Sequence, residues 1–366
     1  MLIAASTIKD TVQHVRRFVR GNLGGGIDHL VVFLDQPRAP GQDEVADFLD
    51  QEPHVTCVRA GRGWWGEHRP AGLNERQCTN AGLVSHLLAD APEVQWVFHV
   101  DGDEVVRIDP DALAAVPADV PAVRLAPREA VSKATWDGDP TLFKRLLGEA
   151  DLQRLHQRGA IAAATNQAHF HGHLQGKVGV RPRRDLWLGL HKAIAADRTQ
   201  APTHADERLE LFHYESYSGE EFARKWGAMT TSGPRVSLRA GRSAVADAVR
   251  DVLEGEASPD ARHERLLALF EETTQDDAES LVELGLVLEL DPTAGTQAPR
   301  PLSEGARTVL QRGLAEAHGT DRSAYFRGTS PRGGPGAGPA GEPGTERVGR
   351  RRSARSAVRR LLGRST

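Results

Sequence analysis

Two aspartates separated by one glycine, Asp101 and Asp103, stand where an apolar run ends in WVFHVDGDE, Trp96 to Glu104. Val97, Phe98 and Val100 favour a strand. The carboxylates therefore emerge at a strand's carboxyl end, and Gly102 leaves the backbone open to a ligand. Residues two apart on an extended chain point the same way, so both carboxylates are expected to face one cation. Carboxylate oxygens are hard ligands that suit magnesium or manganese, and such ions commonly bring a phosphorylated substrate as their remaining ligands. A solvated strand-to-loop corner is the plain alternative, since short acidic turns are common.

A second group of candidates is HFHGH, His169 to His173. In an extended segment His169, His171 and His173 share a face, as zinc ligands on a strand can. They define a competing class, a histidine-centred zinc metallohydrolase or metal-binding protein, although no acid or cysteine lies at a customary spacing nearby.

The elements that must carry these residues alternate through the first half of the chain. LIAAS, HLVVFLD, HVTCVRA and WVFHV read as strands, and Thr11 to Arg20, Asp43 to Asp50 and Asn74 to Ala89 as helices. Val12, Val15 and Val19 share one helical face, with Asp10 or Thr11 to cap it, and Ala81, Val84 and Leu88 share another. Strand–helix alternation predicts an α/β fold, a mostly parallel sheet with helices on both faces. Ligands of such sheets gather at the carboxyl ends of strands, where Asp10, Asp35 and the Asp101/Asp103 pair all fall.

From Pro121 to Tyr217 strand-like AVRLAP, GKVGVRP and ELFHYES are separated by histidine-rich and basic loops, and after Glu220 the chain turns helical. Beyond about Arg327 comes a Gly/Pro linker that cannot bury a core, then the basic RVGRRRSARSAVRRLLGRST. Three parts are expected: 1–229 as the α/β domain, 230–326 as a helical appendage, and 327–366 as a disordered linker and basic tail.

The 366 residues suffice for one large or two medium domains. The formal net charge of -4 averages a basic end against an acidic body, so it says little about partners. The start, MLIAASTIKD, lacks the basic head and long apolar centre of a secretory signal, which predicts a cytoplasmic protein. The two cysteines, Cys57 and Cys78, have no metal-spaced partner and read as buried reduced thiols.

Taken together, FLD after the second strand, NERQ before a helix, WVFHVDGDE, GKVGVRP and LFHYESYSGEEFARK resemble glycosyltransferase family 2-like proteins over about Met1 to Met229. The branch they are most similar to carries a DxDEF-type acidic motif, a later K-x-x-x-R-P, and H-Y followed by serine and E-E-F-x-x-K. The resemblance implies a GT-A (Rossmann-like) fold, a nucleotide-sugar donor at the carboxyl edge of the sheet, a manganese or magnesium ion, and inverting transfer. Within it Asp103 is the main metal ligand, Asp101 supports the ion or the ribose, and His213 of the H-Y pair completes the metal's shell. A histidine packed under Tyr214 is the plain reading of His213. Val105 replaces the motif's phenylalanine.

Lys177 and Arg181 sit four apart on one side of a strand and are expected to address phosphate oxygens, unless they are surface charge. Asp35 matches the aspartate that contacts base or ribose in related enzymes, with QPRAPGQDE replacing the usual downstream context. Lys9-Asp10 stands where the family has N-E. Arg76 and Gln77 match a pair that shapes the donor pocket, and exposed helix polar residues would look the same. Direct displacement needs a carboxylate base. Glu129 is best placed by order and Asp137 next, with a structural salt bridge as the plain fate of either. Trp64 and Trp65 either stack on a sugar or close a loop over the core.

The acceptor expected from the resemblance is a glycan, lipid-linked or envelope molecule. A nucleotidyltransferase on the same fold is the alternative, because the acidic pair would equally activate a triphosphate. In the tail, Val348 to Arg364 carries arginines with Val358, Leu361 and Leu362 as an apolar strip. It is either a basic amphipathic contact with an anionic membrane face or a solvated end. Nucleic-acid binding is not expected, since no aromatic residue is interleaved with the charge.

Overall fold

The computed structural model describes residues 1–231, 240–295 and 297–328. The first half alternates as β1 (Leu2–Ile8), α1 (Val12–Gly24), β2 (His29–Asp35), α2 (Gln42–Gln51), β3 (Val55–Ala60), α3 (Arg62–Trp65), α4 (Leu73–Leu88) and β4 (Trp96–His99). These strands lie in the order β3-β2-β1-β4 and all run parallel. The expected α/β sheet wrapped by helices is what the chain forms, and three of its parallel pairings come from this half.

The chain continues through β5 (Glu104–Ile108), α5 (Pro110–Ala114), β6 (Ala122–Ala130), β7 (Leu142–Arg145), α6 (Glu149–Gln157) and α7 (Asn166–His169). Then come β8 (Lys177–Val180), the small hairpin β9 (Leu186–Leu188) and β10 (Ala193–Ala195), and β11 (Thr203–His213). Strand β8 enters antiparallel between β4 and β6, while β11 pairs parallel with β6 and antiparallel with β5. Helices α8 (Gly219–Thr231), α9 (Ala240–Glu254) and α10 (Pro259–Thr273) pack together through Phe222, Trp226, Val249 and Phe270. The segment that follows, α11 (Ala278–Glu283), β12 (Val287–Glu289) and α12 (Glu304–Ala317), returns to the main body. There β12 pairs with β7 at the sheet edge, and Leu310 and Leu314 of α12 join the cluster that holds Leu83 and Val84 of α4.

Side-chain alternation along the strands divides the core into two layers. Ile3 and Ala5 of β1 face the layer of α4 and α12; Leu2, Ala4 and Ile8 face Val15, Phe18 and Val19 of α1 and Val45 and Leu49 of α2. The Thr11 side chain caps α1 by accepting from the His14 N–H. Trp64 and Trp65 are buried beneath the Arg322 guanidinium, which lies 4.2 and 4.5 Å from their rings. Of the two readings open for them, closure over the core is the one realised, and neither is exposed to stack on a sugar.

The direction of β8 decides what reaches the functional edge. Because it runs against β4, its first residue, Lys177, arrives beside the carboxyl end of β4, and Arg181 is carried to the other end. Gly176 makes the entry turn at φ +64°, and a Cβ there would meet the Leu125 carbonyl oxygen at 1.9 Å. Among the described residues no helix is long and apolar enough to cross a membrane. The expected Gly/Pro linker and basic tail, from residue 329 on, lie outside the described residues.

Candidate active site

Asp101 and Asp103 do not share a face. The chain is not extended between them: the Glu104 N–H donates to the Asp101 carbonyl at 3.1 Å, closing a tight turn in which the alternation rule lapses. Asp101 accepts from Gln77 Nε2 at 2.7 Å and from Lys177 Nζ at 2.6 Å. Asp103 instead accepts from Lys225 Nζ of α8 at 2.7 Å and lies 3.5 Å from His213 Nε2. Of the three expected metal ligands, the turn brings Asp103 and His213 together and sends Asp101 to a lysine.

Glu104, at the start of β5, completes the turn. Its Oε2 accepts the Asp101 N–H at 2.7 Å, and its Oε1 lies 2.8 Å from His173 Nε2. Burial works against its charge, but Lys177 and His173 outweigh that and lower its carboxyl to about 2. The His173 ring stacks on that of His213, centroids 5.0 Å apart, and the Nδ1 atoms of both rings are buried without a hydrogen-bond partner. One ligand atom from each of Glu104, His173 and His213 lies within 4.8 Å of the other two.

The three histidines of HFHGH therefore part company. His169 is buried against Phe170, His171 Nε2 lies 3.0 Å from Asp276, and only His173 joins the acidic turn. The segment that carries them begins in α7 and then bends, so no common face exists.

Helix α8 and the elements after it add further charge to the site. Lys225 bridges Asp103 and Glu215, the latter at 2.9 Å, and Arg242 of α9 reaches Glu215 at 3.1 Å and the His171 carbonyl at 2.7 Å. Behind the site Lys144, fully buried, lies 3.0 Å from Glu129 and 2.9 Å from Asp276. Burial disfavours charge on Asp103 and Glu215. The neighbouring Lys225, with His213 for Asp103 and Arg242 for Glu215, nonetheless holds both carboxyls well below their ordinary range. His213 balances burial against Asp103 and Glu215, and its imidazolium form is favoured.

Glu129 is placed where it cannot act as a free base. Its two oxygens accept the His171 and Gly172 N–H groups at 2.7 and 2.6 Å, and Lys144 occupies the remaining side. It anchors the histidine loop. Asp137 is exposed on the loop between β6 and β7. Asp10 pairs with His14 at 2.9 Å and Arg224 at 3.0 Å, and Asp35 with Arg69 and Arg76 at 3.0 and 2.8 Å. Arg76 also donates to the Pro70 and Ala71 carbonyls, so it fixes the loop before α4. Arg181 donates to the Val116 and Val120 carbonyls and lies over Trp96 at 4.4 Å. Four residues of strand span roughly 13 Å, so it cannot share a diphosphate with Lys177.

Gly172 is the wedge of this arrangement. A Cβ there would sit 2.7 Å from both Glu129 Oε2 and His213 Nδ1. Gly172→Ala is expected to cost about 1–3 kcal/mol through overpacking and to move the His213 resonances, measured by urea unfolding and imidazole NMR. Unchanged stability with unchanged His213 signals would refute the wedge.

Lys225 stands inside the E-E-F-x-x-K motif and Glu104 inside the acidic run, so a signal for both was present in the sequence. Lys144, Arg242 and Asp276 lie in segments without any motif, and only the fold brings them in.

The chain matches no family model and no curated protein. Among solved structures it is similar to one described as a glucose-1-phosphate thymidylyltransferase from Bacillus anthracis in complex with a sucrose. The two are 10% identical over 87% of this chain and 95% of that one, with a TM-score of 0.25, a likeness too loose to bear on fold or chemistry.

Proposed function

We propose that the protein is a transferase acting on a nucleotide sugar, and specifically a glycosyltransferase that moves the sugar from a nucleoside diphosphate to an acceptor hydroxyl. The observation that carries this reading is the gathering of Asp10, Asp35, Asp101 and Asp103 at the carboxyl edge of parallel strands, with Lys177 and Lys225 set among them. Breaking a sugar–phosphate bond leaves growing negative charge on the departing diphosphate. Two ammonium groups held at that edge, Lys177 buried and Lys225 partly buried, stabilise it where it develops. A divalent ion, when bound beside Asp103, would add the same kind of stabilisation. Asp35, with its arginines, lies at the end of β2, suited to the nucleoside side of the donor.

A thermal-shift panel of nucleoside diphosphates and nucleotide sugars, each with and without manganese, tests the proposal on the full chain. A true donor at a hundredfold excess over its Kd should stabilise by about 2.7 kcal/mol, and Asp103→Asn should abolish the manganese-dependent part. No response to any diphosphate would defeat the reading. Pyrophosphate release from a nucleoside triphosphate and a sugar phosphate would reassign the site to nucleotidyl transfer.

A further inference from the structure

We propose that Arg322 is a positioning residue for the nucleoside half of the site. From the far end of the described chain it fixes the turn at Trp64 and Trp65, and through that turn the loop 66–72 that brings Arg69 to Asp35. The consequence for nucleoside binding rests on the transfer reading, whereas the positioning of the loop stands without it.

The loop has little of its own to hold it. Gly66 to Arg69, Ala71 and Gly72 are exposed, and the backbone bonds at its two ends are local: the His68 N–H donates to the Trp65 carbonyl at 3.0 Å and the Arg76 N–H to that of Gly72 at 3.2 Å. Its exit is fixed by Arg76, which is buried, bonds Asp35 at 2.8 Å and donates to the Pro70 and Ala71 carbonyls. Its entry has no such internal anchor. Helix α3 is four residues long, too short to be stable by its own hydrogen bonds.

What holds the entry comes from the segment that closes α12. The Gly319 N–H donates to the Trp64 carbonyl at 2.9 Å, the His318 ring meets Trp64 edge-on at 6.1 Å, and the Arg322 guanidinium covers both indoles while donating to the Ala317 carbonyl. This segment is itself anchored on both sides. Ser303 caps the start of α12, and beyond Arg322 the Ala324 carbonyl accepts from Trp187 Nε1 at 2.9 Å while the Tyr325 ring packs on His86 of α4 at 5.4 Å. The turn is thereby tied to the main body, and the loop leaves it in one direction.

The side-chain type matters as much as its place. Arg322 is 2% exposed, and among the described residues its Nε and Nη2 find no hydrogen-bond partner, so the two rings are its main contact. Burying a charge in this way is costly, and an apolar side chain would fill the same space without that cost. A guanidinium does what an apolar group cannot: it is attracted to the faces of the rings and stacks flat on them, which fixes their tilt. Trp65 is the residue from which the loop departs, so its orientation sets where Arg69 arrives.

The test compares the full-length parent with Arg322→Met, Arg69→Ala and the double variant. Without ligand, hydrogen exchange at the Gly66 and His68 amides should rise about tenfold or more in Arg322→Met, as loss of a desolvated cation–π contact implies, with β1 and β2 unchanged. Calorimetry in the presence of manganese then sets uridine, guanosine and thymidine diphosphates against inorganic pyrophosphate. Any of the three that binds the parent should bind Arg322→Met about tenfold more weakly, pyrophosphate should bind both alike, and Arg322→Met should cost nothing further once Arg69 is alanine. Arg322→Lys, which keeps the charge and loses the planar stack, carries the same measurements should the methionine variant fail to fold. Exchange that rises evenly across the fold, equal weakening of pyrophosphate, or a loss that adds in full to that of Arg69→Ala would overturn the inference. A parent that binds no nucleoside diphosphate would defeat the transfer reading instead, and the exchange result would then decide the positioning of the loop alone.

Discussion

Lys144→Met is expected to destabilise the protein by about 3–5 kcal/mol, the largest stability loss of any single substitution considered. The lysine is fully buried, and its ammonium lies between Glu129 and Asp276 while also donating to the His169 carbonyl at 2.9 Å. Removing it leaves the buried Glu129 and the nearly buried Asp276 without their shared counter-ion. The deletion of one partner from a buried pair costs more than the pair is worth, because the remaining charge keeps its desolvation penalty. Adding Asp276→Asn should recover part of the loss, and a double-mutant cycle by urea unfolding measures how much. A loss under about 1 kcal/mol would mean that the cluster is hydrated and only weakly coupled.

The second large effect is acid sensitivity of the metal-free protein. Glu104 falls from an ordinary 4.5 to about 2 in the folded chain, because Lys177 and His173 overcome burial. A carboxyl depressed on folding stabilises fully above its unfolded pKa, and the contribution fades as the pH drops through the folded value. Glu104 alone should therefore supply about 3 kcal/mol at neutral pH, lost between about pH 4.5 and 2. Asp103, Glu215 and Asp276 are depressed as well, so they add to the same acid limb. Glu104→Gln should flatten the stability profile in this window relative to the parent, read from urea midpoints at successive pH values. Parallel profiles would show that the carboxyl titrates normally in the fold.

What could be read from the sequence follows from the range of each physical signal. Period and capping are local, so β1 through β4, the helices α1, α2 and α4 and the strand-end positions of Asp10, Asp35 and Asp101 were legible, while the single turn α3 was not. The common face of Asp101 and Asp103 was not, because the expectation assumed an extended chain where a four-residue turn intervenes. Arg181 was misread for a related reason: side-chain alternation gives the face of a strand and says nothing about distance along it. Glu129 was found at the end of its strand, and its neighbours withdraw it from catalysis. Those neighbours, Lys144 and the His171–Gly172 backbone, become adjacent only through tertiary pairing. Asp276 illustrates the limit most plainly, since it is far along the chain in a helix-flanking turn with no pattern of its own, yet it organises the back of the site.

The antiparallel entry of β8 between β4 and β6 carries a consequence for the order in which the molecule can assemble. When synthesis has reached His99, β1 to β4 can already pair in parallel, but the outer edge of β4 stays open until Lys177–Val180 has emerged. Some eighty residues separate the two partners, so the pairing pays its loop-closure entropy late and the transition state should be slow to reach. During that interval a nascent chain presents an unpaired, apolar strand edge, Trp96 to His99, which is the kind of surface that captures other chains. Refolding yield should consequently fall as protein concentration rises, and a chaperone that shields nascent strands should matter more to this protein than its finished stability would suggest.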